Sequence, residues 1–233
     1  MEGSANSKNV SNYVMLAKYY DKLLQDEEAL SLWLKYIKEK PFKTVLELAS
    51  GSGVMAKILK NKGYEVTASD ISNEMKEASK SNFDGEYLIL NMTDYKLDRK
   101  YDLILCICDS INYLYTDELD NFFKCAYEHL NDNGRIIFDM HSINRLEEFR
   151  EEYIEEGYVD DLPYQWSISS DEIEKCIYEH FTFYTPDGMI QEHHMQNVFD
   201  IKSLTSKMDE YFTYEVIEDF VKDEKVLTVG YKK

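Results

Sequence analysis

The sequence predicts an α/β fold: a doubly wound, mostly parallel sheet of seven strands that carries a small inserted antiparallel sheet. Three observations point to it. Short apolar runs alternate with helically spaced segments from residue 44 to residue 139, the texture of parallel strands covered by helices on both faces. The first run, Thr44-Val45-Leu46-Glu47-Leu48, breaks at Gly51-Ser52-Gly53 and resumes with helical spacing at Val54, Ile58 and Leu59. Beyond His141 the alternation gives way to segments of strand character, two of them joined by the hairpin turn Thr185-Pro186-Asp187-Gly188.

Taken in order, helical spacing over 11–24 and 26–38 predicts two helices ahead of the first strand, with Pro41 as a stop. Asn61-Lys62-Gly63 ends the next helix, and the second strand runs to Asp70. A third strand over 86–90 leads into Asn91-Met92-Thr93-Asp94, and a fourth over 101–108 into Asp109-Ser110-Ile111-Asn112-Tyr113-Leu114. A helix over 116–130, the turn Asn131-Asp132-Asn133-Gly134 and a fifth strand over 135–139 complete the alternation. Next come a helix over 143–152, strands over 164–169, 175–184 and 189–199, a helix over 201–212, and a hairpin of 213–220 and 225–231. The expected organisation is N-terminal helices over a ligand site (1–40), a nucleotide-binding core (41–157), an antiparallel lid (158–200) and a closing segment (201–233).

The chain has 233 residues and is 44% hydrophobic, enough for one sizeable core. Its net charge of −19 disfavours a phosphate backbone as partner, so action on nucleic acid is not expected; the same charge also serves solubility. No apolar run reaches the ~18 residues of a membrane span, and the start MEGSANSKN is unlike a secretion signal, so a cytoplasmic protein is expected. Four cysteines without a C-x-x-C pair argue against disulfides and structural zinc, and Cys106 and Cys108 are expected as buried thiols on one strand face. His193 and His194 alternate along a strand and point to opposite faces, so no metal site is expected there.

Gly51 and Gly53 permit a tight turn and bare backbone beside a ligand, and the helix that follows offers free N–H groups. The run also satisfies G-x-G-x-x-A, and Asp70 stands at the spacing of a ribose-binding acid, or else is a helix cap. Glu47 separates the readings. A carboxylate at the strand mouth repels a dinucleotide pyrophosphate but suits a ligand with an ammonium and a sulfonium, as in S-adenosylmethionine.

VLELASGSG, VTASDIS and ILNMTDY together resemble the motif series of class I S-adenosylmethionine-dependent methyltransferases, over about residues 13–233. Two positions depart: Ala49, where glycine is common and alanine is the mildest replacement, and Asn91, where aspartate is common but an amide oxygen can still bond the exocyclic amine. The resemblance implies a Rossmann-like core whose closing hairpin supplies a reversed strand, and S-adenosyl-L-methionine as cofactor. It further implies that Glu47, Ala49, Gly51 and Gly53 form the cofactor turn and that Asp70 accepts from both ribose hydroxyls. Ile71 and Met75 flank the adenine, although Met75 also suits the core; Asn91, Met92 and Thr93 meet the adenine edge; the Ile107 carbonyl meets the cofactor amine. Tyr13 and Tyr20-Asp21 match a segment lying over the methionine end, or form a half-buried capping helix.

The pattern Asp109-Ser110-Ile111-Asn112-Tyr113-Leu114, with Phe138-Asp139-Met140-His141, resembles glycine-type and amino-sugar N-methyltransferases. By that likeness Asp109 faces a small methyl acceptor, and His141 stands where the glycine enzyme has a carboxylate-binding arginine, which argues against amino-acid acceptors. His141 reads as a base or as a hydrogen-bonded structural residue. The expected activity is methyl transfer to a small amine-bearing metabolite by a monomer or homodimer. O-methylation on the same fold, a nicotinamide-dependent oxidoreductase and a non-catalytic cofactor-binding regulator are the alternatives.

Overall fold

The computed structural model describes residues 13–24, 27–37 and 42–233; Pro41 and the N-terminal stretch of the sequence reading lie outside them. Helices α1 (Leu16–Leu24) and α2 (Glu27–Ile37) precede β1 (Thr44–Glu47), α3 (Val54–Asn61), β2 (Glu65–Asp70), α4 (Asn73–Ser79) and β3 (Glu86–Ile89). Next are β4 (Tyr101–Cys106), α5 (Leu119–His129), β5 (Leu130–His141) and α6 (Asn144–Glu148). Strands β6 (Tyr153–Val159), β7 (Leu162–Asp171), β8 (Cys176–Thr185) and β9 (Gly188–Asn197) follow, then α7 (Ile201–Ser206), β10 (Phe212–Phe220) and β11 (Lys225–Lys232).

Seven strands form one sheet in the order β10-β11-β5-β4-β1-β2-β3. The five alternating strands pair in parallel, whereas β11 runs antiparallel to both β5 and β10. Alternation along β4 shows how both faces are covered. Ile104 and Cys106 enter one apolar cluster with Phe122, Phe123 and Phe138, while Leu103 and Leu105 enter the other with Trp33, Met55 and Leu59.

The remaining strands form a separate antiparallel sheet, β6-β7-β8-β9. One face packs Phe181 and Phe183 on Leu16 of α1, with Trp166 stacked on Phe181 at 5.4 Å. The outer strand β9 is tied to the core: Asn112 Nδ2 donates to the Asn197 carbonyl at 2.6 Å, and Asn197 Nδ2 to the Leu114 carbonyl at 2.9 Å.

Several expectations shift. The antiparallel sheet has four strands and begins at Tyr153, because the acidic, largely exposed β6 gains strand character only by pairing with β7 across the Asp160-Asp161 turn, both residues at positive φ. That pairing shortens the helix expected over 143–152 to α6. The helix expected over 201–212 ends at Ser206, since Phe212 is drawn into β10 and buried opposite Lys232. The turn at 131–134 is absorbed into β5 as an irregularity, with Asn133 at φ 63°. Strand β4 stops at Cys106; Cys108 lies beyond it at φ 61° and is exposed, not a buried thiol of the strand face. No helix among the described residues is long and apolar enough to cross a membrane.

Candidate active site

A cavity of about 370 Å³ opens at the carboxyl ends of β1, β2, β4 and β5, between α1 and the antiparallel sheet. Its floor is the β1–α3 turn, where Ala49, Gly51 and Gly53 have φ of 49°, 54° and 77°. Three left-handed residues reverse the chain within five positions, which explains the glycines. A side chain at Gly53 would also place its Cβ 3.1 Å from Phe83 Cβ.

The turn is braced from outside. Asp70 accepts from Gly51 N at 3.0 Å and Ser72 N at 2.9 Å, and Tyr87 donates its hydroxyl to the Gly51 carbonyl at 2.6 Å. Glu47, 2% exposed, accepts from Ser50 Oγ at 2.9 Å. Burial pushes its carboxyl up to about 8 against the hydrogen bonds it accepts, with Asp70 adding to the rise; burial raises Asp70 as well. A cationic ligand in the cavity would favour the ionised form of both carboxyls and draw them back down.

Helix α1 closes one side and is clamped at two points. Asp21 accepts from Ser52 Oγ in the glycine turn and from Asn82 Nδ2 at 2.7 Å. At the other end, buried Glu192 of β9 accepts from the backbone N–H groups of Met15 and Leu16, capping the helix from the antiparallel sheet. Tyr13 and Tyr20 thereby line the cavity, with the Tyr13 hydroxyl donating to that of Tyr113 at 2.7 Å.

The far end is polar. Asp109, at φ 59° directly after Cys108 at 61°, turns its carboxylate into the cavity, where Lys225 of β11 pairs with it and lies 3.4 Å from Asp139. Burial works against the charge on Asp109, but Lys225, joined by His141 whenever its ring is protonated, outweighs it and holds the carboxyl below its usual range. Fully buried Asp139 is pushed up to about 7 by burial, despite Lys225. Burial opposes the charge of Lys225 too, yet Asp109 and Asp139 keep it protonated. His141 Nδ1 stands 3.5 Å from Asp109 Oδ1, and neither atom has a hydrogen-bond partner. From β8, Glu179 lines the same end and is pushed up to about 7, by burial first and then by Asp109.

A family model described as a methyltransferase domain matches residues 45–134, the stretch from β1 to the start of β5. A protein of Geobacillus sp. (strain WCH70) named as a methyltransferase is 25% identical over 228 residues, 89% of this chain and 92% of its own. The crystal structure of an S-adenosylmethionine-dependent methyltransferase from Clostridium acetobutylicum superposes with a TM-score of 0.78 at 22% identity, covering 94% of this chain and 98% of that one. A sugar N-methyltransferase from Streptoalloteichus sp. gives 0.79 at 17% identity, covering 92% and 91%.

Residues 45–134 are a methyltransferase domain, carried on the fold of S-adenosylmethionine-dependent methyltransferases. The cavity has the acceptors that S-adenosylmethionine needs: buried carboxylates at Glu47 and Asp70 fit an ammonium, a sulfonium and ribose hydroxyls, and the open glycine turn admits them. Of the residues singled out from sequence, Tyr13, Tyr20, Glu47, Ala49, Gly51, Asp70, Ile71, Met75, Met92, Ile107, Asp109 and His141 all line the one cavity. Gly53 sits beneath it as the N-cap of α3. The Ile107 carbonyl already accepts from Ser110 Oγ at 2.8 Å.

Asn91 and Thr93 are placed elsewhere. The Asn91 amide oxygen accepts from Thr93 N at 3.0 Å and Thr93 Oγ1 at 2.9 Å, closing its own turn, and both residues line a separate groove beside Tyr95 and His129. Met92 alone of that trio reaches the cavity. Sequence reading missed Glu179, Gln196, Lys225 and Arg145, which arrive from β8, β9, β11 and α6. Arg145 restores a guanidinium to the site, but it is engaged by Glu148 at 2.6 Å and lies 3.8 Å from Glu224. Among the described residues no three His, Cys, Asp or Glu side chains are placed to hold a metal ion; His193 is exposed and His194 buried against Tyr13 at 4.6 Å.

Proposed function

We propose that the enzyme methylates the nitrogen of a small amine-bearing acceptor. The observation that carries this is the pair of unsatisfied acceptors, Asp109 Oδ1 and His141 Nδ1, 3.5 Å apart and both facing the cavity. Burial lowers the pKa of His141 and so favours the neutral ring, which in its Nε2–H tautomer offers a lone pair at Nδ1. Two converging acceptors need two donors. A primary amine, or a primary or secondary ammonium, brings two or three N–H groups, whereas a hydroxyl brings one and leaves an acceptor buried and unmet. The sugar N-methyltransferase among the structural neighbours agrees with this reading, and the engaged Arg145 agrees with an acceptor that lacks a carboxylate.

In this reading Glu47 receives the cofactor's ammonium, Asp70 its ribose hydroxyls, and Ile71, Met75 and Met92 surround its adenine, with Tyr13 and Tyr20 above its methionine end. When bound, S-adenosylmethionine supplies a methyl group on a positively charged sulfur that departs as a neutral thioether. Asp109 holds the acceptor's ammonium, His141 Nδ1 takes one proton from it, and the freed nitrogen lone pair is left pointing along the cavity. Lys225 keeps Asp109 ionised throughout.

The test is formation of S-adenosylhomocysteine from S-adenosylmethionine with a panel of primary and secondary amines and their matched alcohols. Turnover is expected with amines. Asp109→Asn and His141→Gln are expected to lower kcat by ~10²-fold or more, while cofactor affinity stays within about twofold, an interaction change below ~0.5 kcal/mol. Turnover confined to alcohols, or undiminished kcat in both variants, overturns the reading.

A further inference from the structure

We infer that Gln196 is a positioning residue that holds His141 in its Nε2–H tautomer, so that the lone pair at Nδ1 is presented to the cavity. This deepens the proposed proton-accepting role of His141 and rests on it for its catalytic meaning. His141 Nε2 lies 2.9 Å from the Gln196 side-chain oxygen, and Gln196 Nε2 donates to the Asp109 carbonyl at 3.3 Å. The Asp109 carbonyl decides which way the amide points. Were the amide reversed, its oxygen would face that carbonyl, acceptor against acceptor, and only the present orientation satisfies both ends. An amide oxygen beside Nε2 requires a hydrogen on Nε2, and a neutral ring then has none at Nδ1.

The arrangement is built for this purpose on both sides. Gln196 is 5% exposed on β9, and the same strand is tied through Asn197 to the loop that carries Asp109. The His141 backbone N–H donates to Asn112 Oδ1 at 3.1 Å, fixing the ring's attachment point. The antiparallel sheet therefore sets the protonation chemistry of a residue on the parallel core. The charged groups around the ring are Asp109 after β4, Asp139 on β5, Lys225 on β11, Arg145 on α6 and Glu179 on β8. Of these Asp109 favours the protonated ring, Lys225 and Arg145 oppose it, and the Gln196 oxygen favours it through its hydrogen bond.

The experiment is nitrogen-15 NMR of the histidine rings in the full chain with S-adenosylhomocysteine bound. The protein has five histidines, and loss of one signal in His141→Gln assigns the ring. The expected wild-type spectrum has a protonated Nε2 and a bare Nδ1 at neutral pH. Gln196→Leu is expected to mix the two tautomers and lower the titration midpoint. Gln196→Glu, which places a carboxylate at Nε2, is expected to raise it by about one pH unit or more. A hydrogen on Nδ1 in the wild type, or an unchanged tautomer and midpoint in both variants, overturns the inference. Should no amine be methylated while these spectra come out as expected, the tautomer assignment stands and the proposed acceptor falls.

Discussion

Three non-glycine residues of the cavity wall, Ala49, Cys108 and Asp109, hold left-handed backbone. Each such residue costs roughly 1–2 kcal/mol, and strain of this kind gathers where a chain must turn sharply to present groups to a ligand. Ala49 gives a direct test, because glycine removes the Cβ penalty but adds ~0.4–1 kcal/mol of unfolded-state freedom. Ala49→Gly is expected to leave stability unchanged or raise it by up to ~1 kcal/mol. Gly53→Ala, with its Cβ 3.1 Å from Phe83 and 3.3 Å from Ser79, is expected to lower it by ~1–3 kcal/mol. Urea unfolding of the two variants decides. A destabilised Ala49→Gly would show that Cβ contacts there outweigh the backbone strain.

At the scale of elements, α1 closes the cavity although it belongs to neither sheet. Its first turn has backbone donors that Glu192 accepts from across the fold, and Asp21 fastens its second half to the glycine turn. Removing a helix cap costs ~0.5–2 kcal/mol. Glu192→Ala is therefore expected to destabilise the protein by ~1–2 kcal/mol and to weaken S-adenosylhomocysteine binding several-fold, as α1 loosens over the site. Glu192→Gln keeps an acceptor oxygen and is expected to retain most of both. Calorimetric titration of the two variants makes the comparison, and full affinity in Glu192→Ala would mean that the antiparallel sheet does not hold α1 in place.

The whole molecule is strongly acidic, and its cavity concentrates that property in buried carboxylates. Glu47 has an ordinary value of 4.5 when unfolded and about 8 when folded without ligand. Between those values the folded state binds more protons than the unfolded state, so stability from this group is full below about pH 4.5 and is lost as pH rises toward 8. A cationic ligand favours the ionised form and reverses the trend. The thermal shift produced by S-adenosylmethionine is expected to grow from pH 6 to pH 8 and then level, with NADH producing none. Glu47→Gln is expected to be more stable than wild type near pH 8 without ligand and to lose the pH dependence of the shift. A ligand shift equally large at pH 6 and pH 8 in the wild type would remove Glu47 from cofactor binding.

The sequence alone determined the parallel core, the glycine turn with Glu47 and Asp70, and the reversed closing strand, because each is written in neighbouring residues whose periodicity and turn chemistry act locally. The tertiary structure alone decided which side chains meet at the polar end of the cavity. Lys225 meets Asp109 across 116 positions, Gln196 meets His141 across 55, and Glu192 meets α1 across 176. No local pattern encodes such pairs: a lysine in a closing hairpin and a glutamine on an edge strand read as solvated side chains until the sheets are stacked. The same limit explains Asn91, whose position matched the motif but whose amide was taken by its own turn. Motif spacing fixes the course of the backbone around the strand ends and the glycine turn, while the direction of a polar side chain depends on which donors and acceptors packing brings within reach.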